Sequence, residues 1–290
     1  MHSDFATLLE VKTIMDFSKI KILAFDLDDT LLDDKKQVTE VTKKALLDAY
    51  DKGYILVIST GRALSTVSPE ALALGIFSYA VTSNGSRVVD LKTGETIYKN
   101  CLTREALAPA MPYISDPELM REVFYNGRVY DEQYCLDHFE QYGITNKAMQ
   151  YYIRSSRDVC DNTLDFIEEH FGELETVTMF FSDLDKRDRY YEELKKITSV
   201  TTVISLVNNI EIVANGSSKG NGLKMLSEIL GYGLENVMAF GDNDNDSTMI
   251  EAAGIGVAMG NATEGLKAIA DVVTLKHTED GVAYMLRKML

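Results

Sequence analysis

Strand-length apolar runs, each ending in a polar, glycine-containing turn and then giving way to a helical pattern, constrain this chain more than any other feature. A parallel connection between strands needs a crossover, usually a helix, so repetition of this unit predicts βα units and a parallel sheet. The first run is Ile20 to Phe25, ending at Asp26. Thr39 then caps a predicted helix to about Lys52, with Val41, Ala45, Leu46 and Ala49 on one face and Gly53 as its stop. The second run, Tyr54 to Ile58, ends at Ser59-Thr60-Gly61-Arg62, and a third, Tyr79 to Val81, ends at Thr82-Ser83-Asn84-Gly85. The same grammar returns late, where Asn236 to Phe240 runs into Gly241-Asp242, followed by short strands near Ile255–Met259 and Val272–Leu275.

The sheet is therefore split in sequence. Between about Ser86 and Ile212 the pattern changes to hairpins and helices: Arg121–Tyr125 with Arg128–Asp131 around Asn126-Gly127, a strand at Thr176–Phe181, a helix at Arg187–Thr198, and paired strands around Asn208-Asn209. The expected architecture is α/β, a Rossmann-like parallel-sheet core of residues 1–85 and 213–290 carrying an inserted α+β domain at 86–212. A length of 290 residues, near the upper limit for one hydrophobic core, agrees with such a composite. So does a composition of 46% hydrophobic and 26% charged residues with four prolines, which is that of a folded globular chain.

A formal charge of -16 argues against nucleic acid as a partner, because neutralising a phosphate backbone needs a basic face. No apolar run reaches a membrane-spanning length, and the first residues, with Asp4 and Glu10, lack the pattern of a signal peptide, so neither a membrane partner nor export is expected and the location expected is cytoplasmic. Cys101, Cys135 and Cys160 are odd in number and without a Cys-x-x-Cys pair, which predicts reduced packing residues. The four histidines are scattered and form no helical metal-binding pair.

In open parallel sheets ligands bind beyond the carboxyl ends of the strands, and the polar clusters of this chain fall there. Asp26-Leu27-Asp28 leaves the first strand, Thr60-Gly61-Arg62 the second, and Gly241-Asp242-Asn243-Asp244-Asn245-Asp246 a late one, so carboxylates remote in sequence converge on one rim. Two carboxylates about 4 Å apart repel by roughly 4 kcal/mol at an effective dielectric of 20, so Asp26, Asp28 and Asp242 together call for a cation. Mg²⁺, a hard cation held by one or two carboxylates plus phosphate oxygens, suits so sparse a set. An EF-hand reading of Asp242-x-Asp244-x-Asp246 fails, since Ser247 stands at the glycine position and Ala253 at the bidentate glutamate position. Lys219, in Ser217-Ser218-Lys219-Gly220, opens a helix whose inner face is Leu223, Leu226 and Leu230 and whose stop is Gly231; its charge adds to the positive helix terminus and suits a phosphate oxygen. P-loop and dinucleotide spacings are absent.

Asp26-Leu27-Asp28-Asp29-Thr30, Thr60-Gly61-Arg62, Ser218-Lys219-Gly220 and Gly241-Asp242-Asn243-Asp244-Asn245-Asp246, in that order, resemble the haloacid dehalogenase superfamily. The Thr-Gly-Arg form, the Ser83-Asn84-Gly85 turn and the position of the insertion resemble its Cof-type branch, whose α/β (type IIB) cap sits over the core. The resemblance covers nearly the whole chain from Ile20 onward and departs at Asp29, where the family usually has glycine.

It implies a phosphatase acting on small phosphorylated metabolites, sugar phosphates foremost, through an aspartyl phosphate. Asp26 would be the nucleophile and Asp28 the general acid, then base; Asp26, the backbone carbonyl of Asp28, and Asp242 would hold Mg²⁺. Thr60, Gly61, Lys219 and Asn245 would contact phosphate oxygens, Arg62 and Asn84 would join the substrate site, and Asp246 would orient Lys219. A phosphosugar mutase using the same aspartyl phosphate is one alternative, and a non-catalytic sugar-phosphate-binding regulator is another. A receiver domain fits less well, because its phosphoacceptor follows a mid-domain strand. Phe5, Leu8 and Leu9, at helical spacing ahead of the fold, are expected to pack on the body or on a partner.

Overall fold

The computed structural model describes residues 16–290, so Phe5, Leu8 and Leu9 lie outside it. In chain order, β1 (Ile22–Phe25), β2 (Ile55–Ser59), β3 (Phe77–Thr82), β4 (Arg87–Asp90) and β5 (Thr96–Lys99) are followed by β6 (Met120–Tyr125), β7 (Arg128–Glu132), β8 (Asp158–Cys160), β9 (Leu174–Phe180), β10 (Val200–Val203) and β11 (Asn209–Ala214). Then come β12 (Val237–Gly241), β13 (Ile255–Ala258) and β14 (Val272–Val273). They form a sheet in the order β14-β13-β12-β1-β2-β3-β4-β5 and a second in the order β10-β11-β9-β6-β7-β8.

From β14 to β3 the large sheet is parallel. Its central strands are apolar on both faces, as a sheet covered by helices on both sides requires: Leu23, Phe25, Leu56, Ile58 and Phe240 enter one core, Ile22, Ala24, Val57 and Ala239 the other. The helix Glu40–Asp51 is capped by the Thr39 hydroxyl, which accepts from the Thr42 amide. It buries Thr42, Ala45, Leu46 and Ala49. Val41, expected on that face, is instead 39% exposed.

Two expected boundaries move. The segment after Gly85 does not leave the core: β4 pairs antiparallel with β3 and β5 with β4, so residues 87–99 extend the large sheet. At the other end β11 stays paired with β9 and β10 through Val213 and Ala214. The two passages between sheets thus fall after Lys99 and after Ala214, and they lie side by side, the Asn100 amide donating to the Asn215 carbonyl (3.1 Å) and the Ser217 hydroxyl (2.9 Å). One face of the small sheet packs on helices through Val123, Val177, Met179, Ile210 and Ile212. The other carries Phe124 and Val129, which pack on Ala63 of the large-sheet body.

Candidate active site

Asp26 follows β1, the Thr60-Gly61-Arg62 turn follows β2, the Ser83-Asn84-Gly85 turn follows β3, and Asp242 follows β12, so all four meet at one rim. The turns are stitched together through backbone groups: the Thr60 amide donates to the Val81 carbonyl, the Ser83 amide to that of Arg62, and the Asn84 amide to that of Thr60. Lys219 enters from the helix Lys219–Ile229, capped by the Ser218 hydroxyl.

At the centre Lys219 is 1% exposed and its ammonium donates to Asp26 Oδ1 (2.7 Å) and Asp246 Oδ1 (2.6 Å). Asp246 Oδ2 in turn accepts from the amides of Asp242 (2.9 Å) and Asn243 (3.1 Å). Thr30 donates its hydroxyl to Asp242 Oδ1 at 2.9 Å. Asp26, Asp242 and Asp246 each bring a carboxylate oxygen within 4.8 Å of the others. One ammonium therefore bonds two of the three carboxylates. Burial disfavours its charge, but Asp246 and Asp26 outweigh burial and keep Lys219 protonated. Burial, with the charges of Asp246 and Asp242 added, drives Asp26 well above the usual carboxylate range despite Lys219. Burial and Asp246 push Asp242 up to about 6. The cluster carries more negative charge than one lysine balances, and its donors are all hard oxygens, so the residues present fit a hard divalent cation.

Asp28 lies apart from this cluster. Its carboxylate is held by the Arg62 guanidinium through two 2.7 Å bonds and by Lys36 at 3.2 Å. Burial raises its pKa, but Arg62 and Lys36 outweigh burial and bring it below the usual value. The Asp28 side chain is thus not among the grouped carboxylates, and Asp246, expected only as a support for Lys219, is. Arg62, expected on the substrate, is committed to Asp28 and also reaches Tyr152 of the inserted segment, with the ring centroid 5.1 Å away. Asn84 Nδ2 donates to Glu211 Oε2 at 2.7 Å, and Asn84 Oδ1 accepts from Asn245 at 3.2 Å. Thr60 is buried beneath this turn, its hydroxyl accepting from the Arg62 amide, and a side chain on Gly61 would meet Asn84 Oδ1 at 3.0 Å.

Asp29 occupies the left-handed region at φ +59°, which explains both the usual glycine and the tolerance of aspartate, a residue that enters this region more readily than most. Lys36, Tyr152, Glu175 and Glu211 did not stand out in the sequence. The signal for the glutamates was a charge inside an apolar strand: Ile210-Glu211-Ile212 and Leu174-Glu175-Thr176. Glu175 is fully buried, accepting from Ser83 (2.6 Å), Arg87 (2.7 Å) and the Gly127 amide (2.6 Å), which fastens the small sheet to the turn after β3.

The sequence model of haloacid dehalogenase-like hydrolases matches residues 23–286. Phosphatase YwpJ of Bacillus subtilis (strain 168) is 32% identical over 294 residues, spanning 93% of this chain and 100% of its own. The 5-amino-6-(5-phospho-D-ribitylamino)uracil phosphatase YcsE of the same organism is 33% identical over 275 residues, spanning 92% and 95%. A solved haloacid dehalogenase-like hydrolase from B. subtilis superposes with a TM-score of 0.81 at 31% identity, covering 93% of this chain and 100% of that one. Among the described residues no helix is long and apolar enough to cross a membrane. With its sheet order, its rim of carboxylates and these relatives in agreement, the chain belongs to the haloacid dehalogenase-like hydrolases, in their Cof-type branch, and is a phosphatase.

Proposed function

We propose that this phosphatase is Mg²⁺-dependent and hydrolyses small phosphorylated metabolites, sugar phosphates foremost, through an aspartyl phosphate on Asp26. The observation that carries the reading is the grouping of Asp26, Asp242 and Asp246 around the buried Lys219. Asp26, Asp242 and the Asp28 carbonyl would hold the cation, which when bound neutralises charge on the phosphate and aligns it with Asp26. The free Asp26 oxygen attacks phosphorus while the bond to the leaving oxygen breaks, and Asp28 gives that oxygen a proton. Asp28 then takes a proton from the water that attacks the acyl phosphate, whose P–O bond breaks to release phosphate and restore Asp26. Lys219, Thr60, the Gly61 amide and Asn245 stabilise the phosphoryl oxygens, and Asp246 holds Lys219 in place. For Asp28 to donate a proton, Arg62 must first leave it, and Tyr152 of the inserted segment, which the guanidinium already touches, would keep a hold on it.

We divide the chain into a catalytic body of residues 16–100 and 215–290 and a cap of residues 101–214 that moves over it. Support comes from the pairing of β4 and β5 with the large sheet and from the two adjacent crossings at Asn100 and Asn215. A sugar-like substrate is supported by the relative YcsE, whose name carries a phosphorylated ribityl chain. The test is Asp26→Asn, an isostere without the nucleophile: turnover should vanish with the melting temperature unreduced, and no phosphorylated protein should be trapped by rapid acid quench. More than a few per cent of wild-type activity in this variant sinks the covalent route.

A further inference from the structure

Asparagine is followed by glycine four times in this chain, at Asn84, Asn126, Asn215 and Asn221. In such a pair the asparagine side chain is most open to attack by its own backbone, because the glycine carries no Cβ to block the approach of its amide nitrogen. Attack needs a carboxamide that is free to turn and a nitrogen that is not held. Three of the four pairs lack one or the other. Asn84 is buried, its carboxamide fixed at both ends by Glu211 and Asn245. The Gly127 amide after Asn126 is buried and donates to Glu175 Oε1 (2.6 Å). The Gly222 amide after Asn221 lies inside the helix Lys219–Ile229 and donates to the Ser218 carbonyl (2.9 Å).

Asn215 and Gly216 differ on each count. Both are exposed, in the turn that leaves β11 and closes with the Ser217 amide on the Ala214 carbonyl (2.9 Å). Among the described residues neither the Asn215 carboxamide nor the Gly216 amide has a hydrogen-bond partner, and only the Asn215 carbonyl is used, by Asn100 (3.1 Å). Gly216 has φ +81° and an added Cβ would meet nothing within 4 Å, so the turn has room to rearrange. This turn is one of the two crossings between the sheets and lies four residues before Lys219. Its far end is held: the Ser218 hydroxyl caps the helix that delivers Lys219, and the Ser218 carbonyl packs so closely on Gly85 that a Cβ there would fall 1.9 Å from it.

We infer that Asn215-Gly216 is a self-modification site, at which the chain converts asparagine to isoaspartate and so disturbs the approach to Lys219. The Gly216 nitrogen attacks Asn215 Cγ: the N–Cγ bond forms, the bond from Cγ to the side-chain nitrogen breaks, and that nitrogen leaves as ammonia with the proton the amide gives up. Water then opens the succinimide. Added at the main-chain carbonyl carbon, it breaks that carbon's bond to nitrogen and leaves isoaspartate, whose main chain runs through Cγ and is longer by one carbon; added at Cγ, it leaves aspartate. The inserted carbon falls between Ala214, held in the small sheet, and Ser218, held against Gly85. The Ser217 to Ala214 turn bond and the Asn100 contacts must therefore give way. The modification stands on the turn alone, and its effect on turnover rests on the role proposed above for Lys219.

The experiment ages the full chain for weeks at physiological temperature in mildly alkaline buffer. Peptide mass spectrometry follows the gain of about 1 Da at each of the four asparagines, and an isoaspartate methyltransferase marks the isoaspartate. In the folded protein Asn215 should convert at least about tenfold faster than the other three, and in concentrated urea, where the fold protects none of them, the four rates should agree within about threefold. With Mg²⁺ present, kcat for p-nitrophenyl phosphate should fall in proportion to the isoaspartate at 215. Asn215→Gln, which would have to close a larger ring, should age without that loss. Freshly purified Asn215→Asp, with the new charge on a main chain of normal length, should keep at least about half of the wild-type kcat. Conversion at Asn215 no faster than at Asn126 would overturn the site. A kcat unchanged while isoaspartate accumulates, or a loss in fresh Asn215→Asp as large as in aged wild type, would overturn its action on Lys219. Asp26→Asn should age at Asn215 as wild type does, so failure of the covalent route would leave this site standing.

Discussion

Lys219 is the residue on which the charge balance of the site turns. Removing a partner from a buried ion cluster leaves uncompensated charge and costs about 3–5 kcal/mol. Lys219→Met should therefore lose about 3 kcal/mol of stability in excess chelator at pH 7. Added Mg²⁺ should raise its melting temperature more than that of wild type, because the cation becomes the only counter-charge for Asp26, Asp242 and Asp246. Equal Mg²⁺ shifts in both proteins, by calorimetry, would remove the metal from the argument. Asp131 supplies a second residue-level prediction. Its folded pKa of about 9 lies above the ordinary 3.8 because of burial and the charge of Glu122, which the hydrogen bond from the Glu132 amide and the charge of Arg157 oppose. A raised carboxyl binds its proton more tightly folded than unfolded, so its stabilising contribution is complete below pH 3.8 and is lost as pH climbs toward 9. Asp131→Asn removes that dependence, and relative to wild type it should gain at least about 1 kcal/mol between pH 5 and pH 8 in urea melts. A pH-independent difference would contradict it. In the sequence Asp131 reads as the polar residue that ends a hairpin strand; its burial, near Glu122, Cys135 and Arg157, arises from tertiary packing that linear order does not display.

The strands of the large sheet were legible because apolar runs of four to six residues bounded by Gly and Asp turns have few other uses in a chain of this composition. Asp26, Lys219 and Asp242 were legible for the same reason, since each stands where a strand ends or a helix begins. The hairpin β4–β5 was not assigned to its sheet, because alternation tells which side of a strand is buried and says nothing of which edge it joins. The partners of Arg62 and Asn84 were likewise hidden: Tyr152 and Glu211 lie 90 and 127 residues further along the chain. The turn between β3 and β4 offers an element-level test. Gly85 has φ +87° and an added Cβ would fall 1.9 Å from the Ser218 carbonyl oxygen, at the start of the helix that delivers Lys219. Gly53 has nearly the same φ, +86°, with nothing within 4 Å. Gly53→Ala should cost about 1 kcal/mol, the strain alone, whereas Gly85→Ala should cost about 3 kcal/mol or more and lower kcat, because Ser218 and Lys219 must move. Equal costs for the two substitutions would show that Gly85 is held by its backbone conformation only.

Over the whole molecule, the two sheets meet across the site through buried carboxylates of the small one: Glu175 with Ser83 and Arg87, and Glu211 with Asn84. Such contacts fix the register of the small sheet on the large one, and under the proposed division into body and cap the paired crossings at Asn100 and Asn215 would take up the rotation. Exchange of the cap with that of a relative such as YcsE tests this division, and its junctions follow from sheet membership. Cuts at residues 86 and 212 would graft a foreign β4–β5 hairpin onto β3 and would sever β11 before Val213 and Ala214, so that chimera should be poorly soluble. Cuts after residues 100 and 214 leave both sheets whole, and that chimera should fold as long as the donor brings carboxylates at the positions of 175 and 211. It should keep Mg²⁺ dependence and the loss of activity on Asp26→Asn, both assigned to the body in the proposed mechanism, and take its ranking of leaving groups from the donor. A folded chimera of the second design that keeps the parent's ranking would place substrate selection in the body.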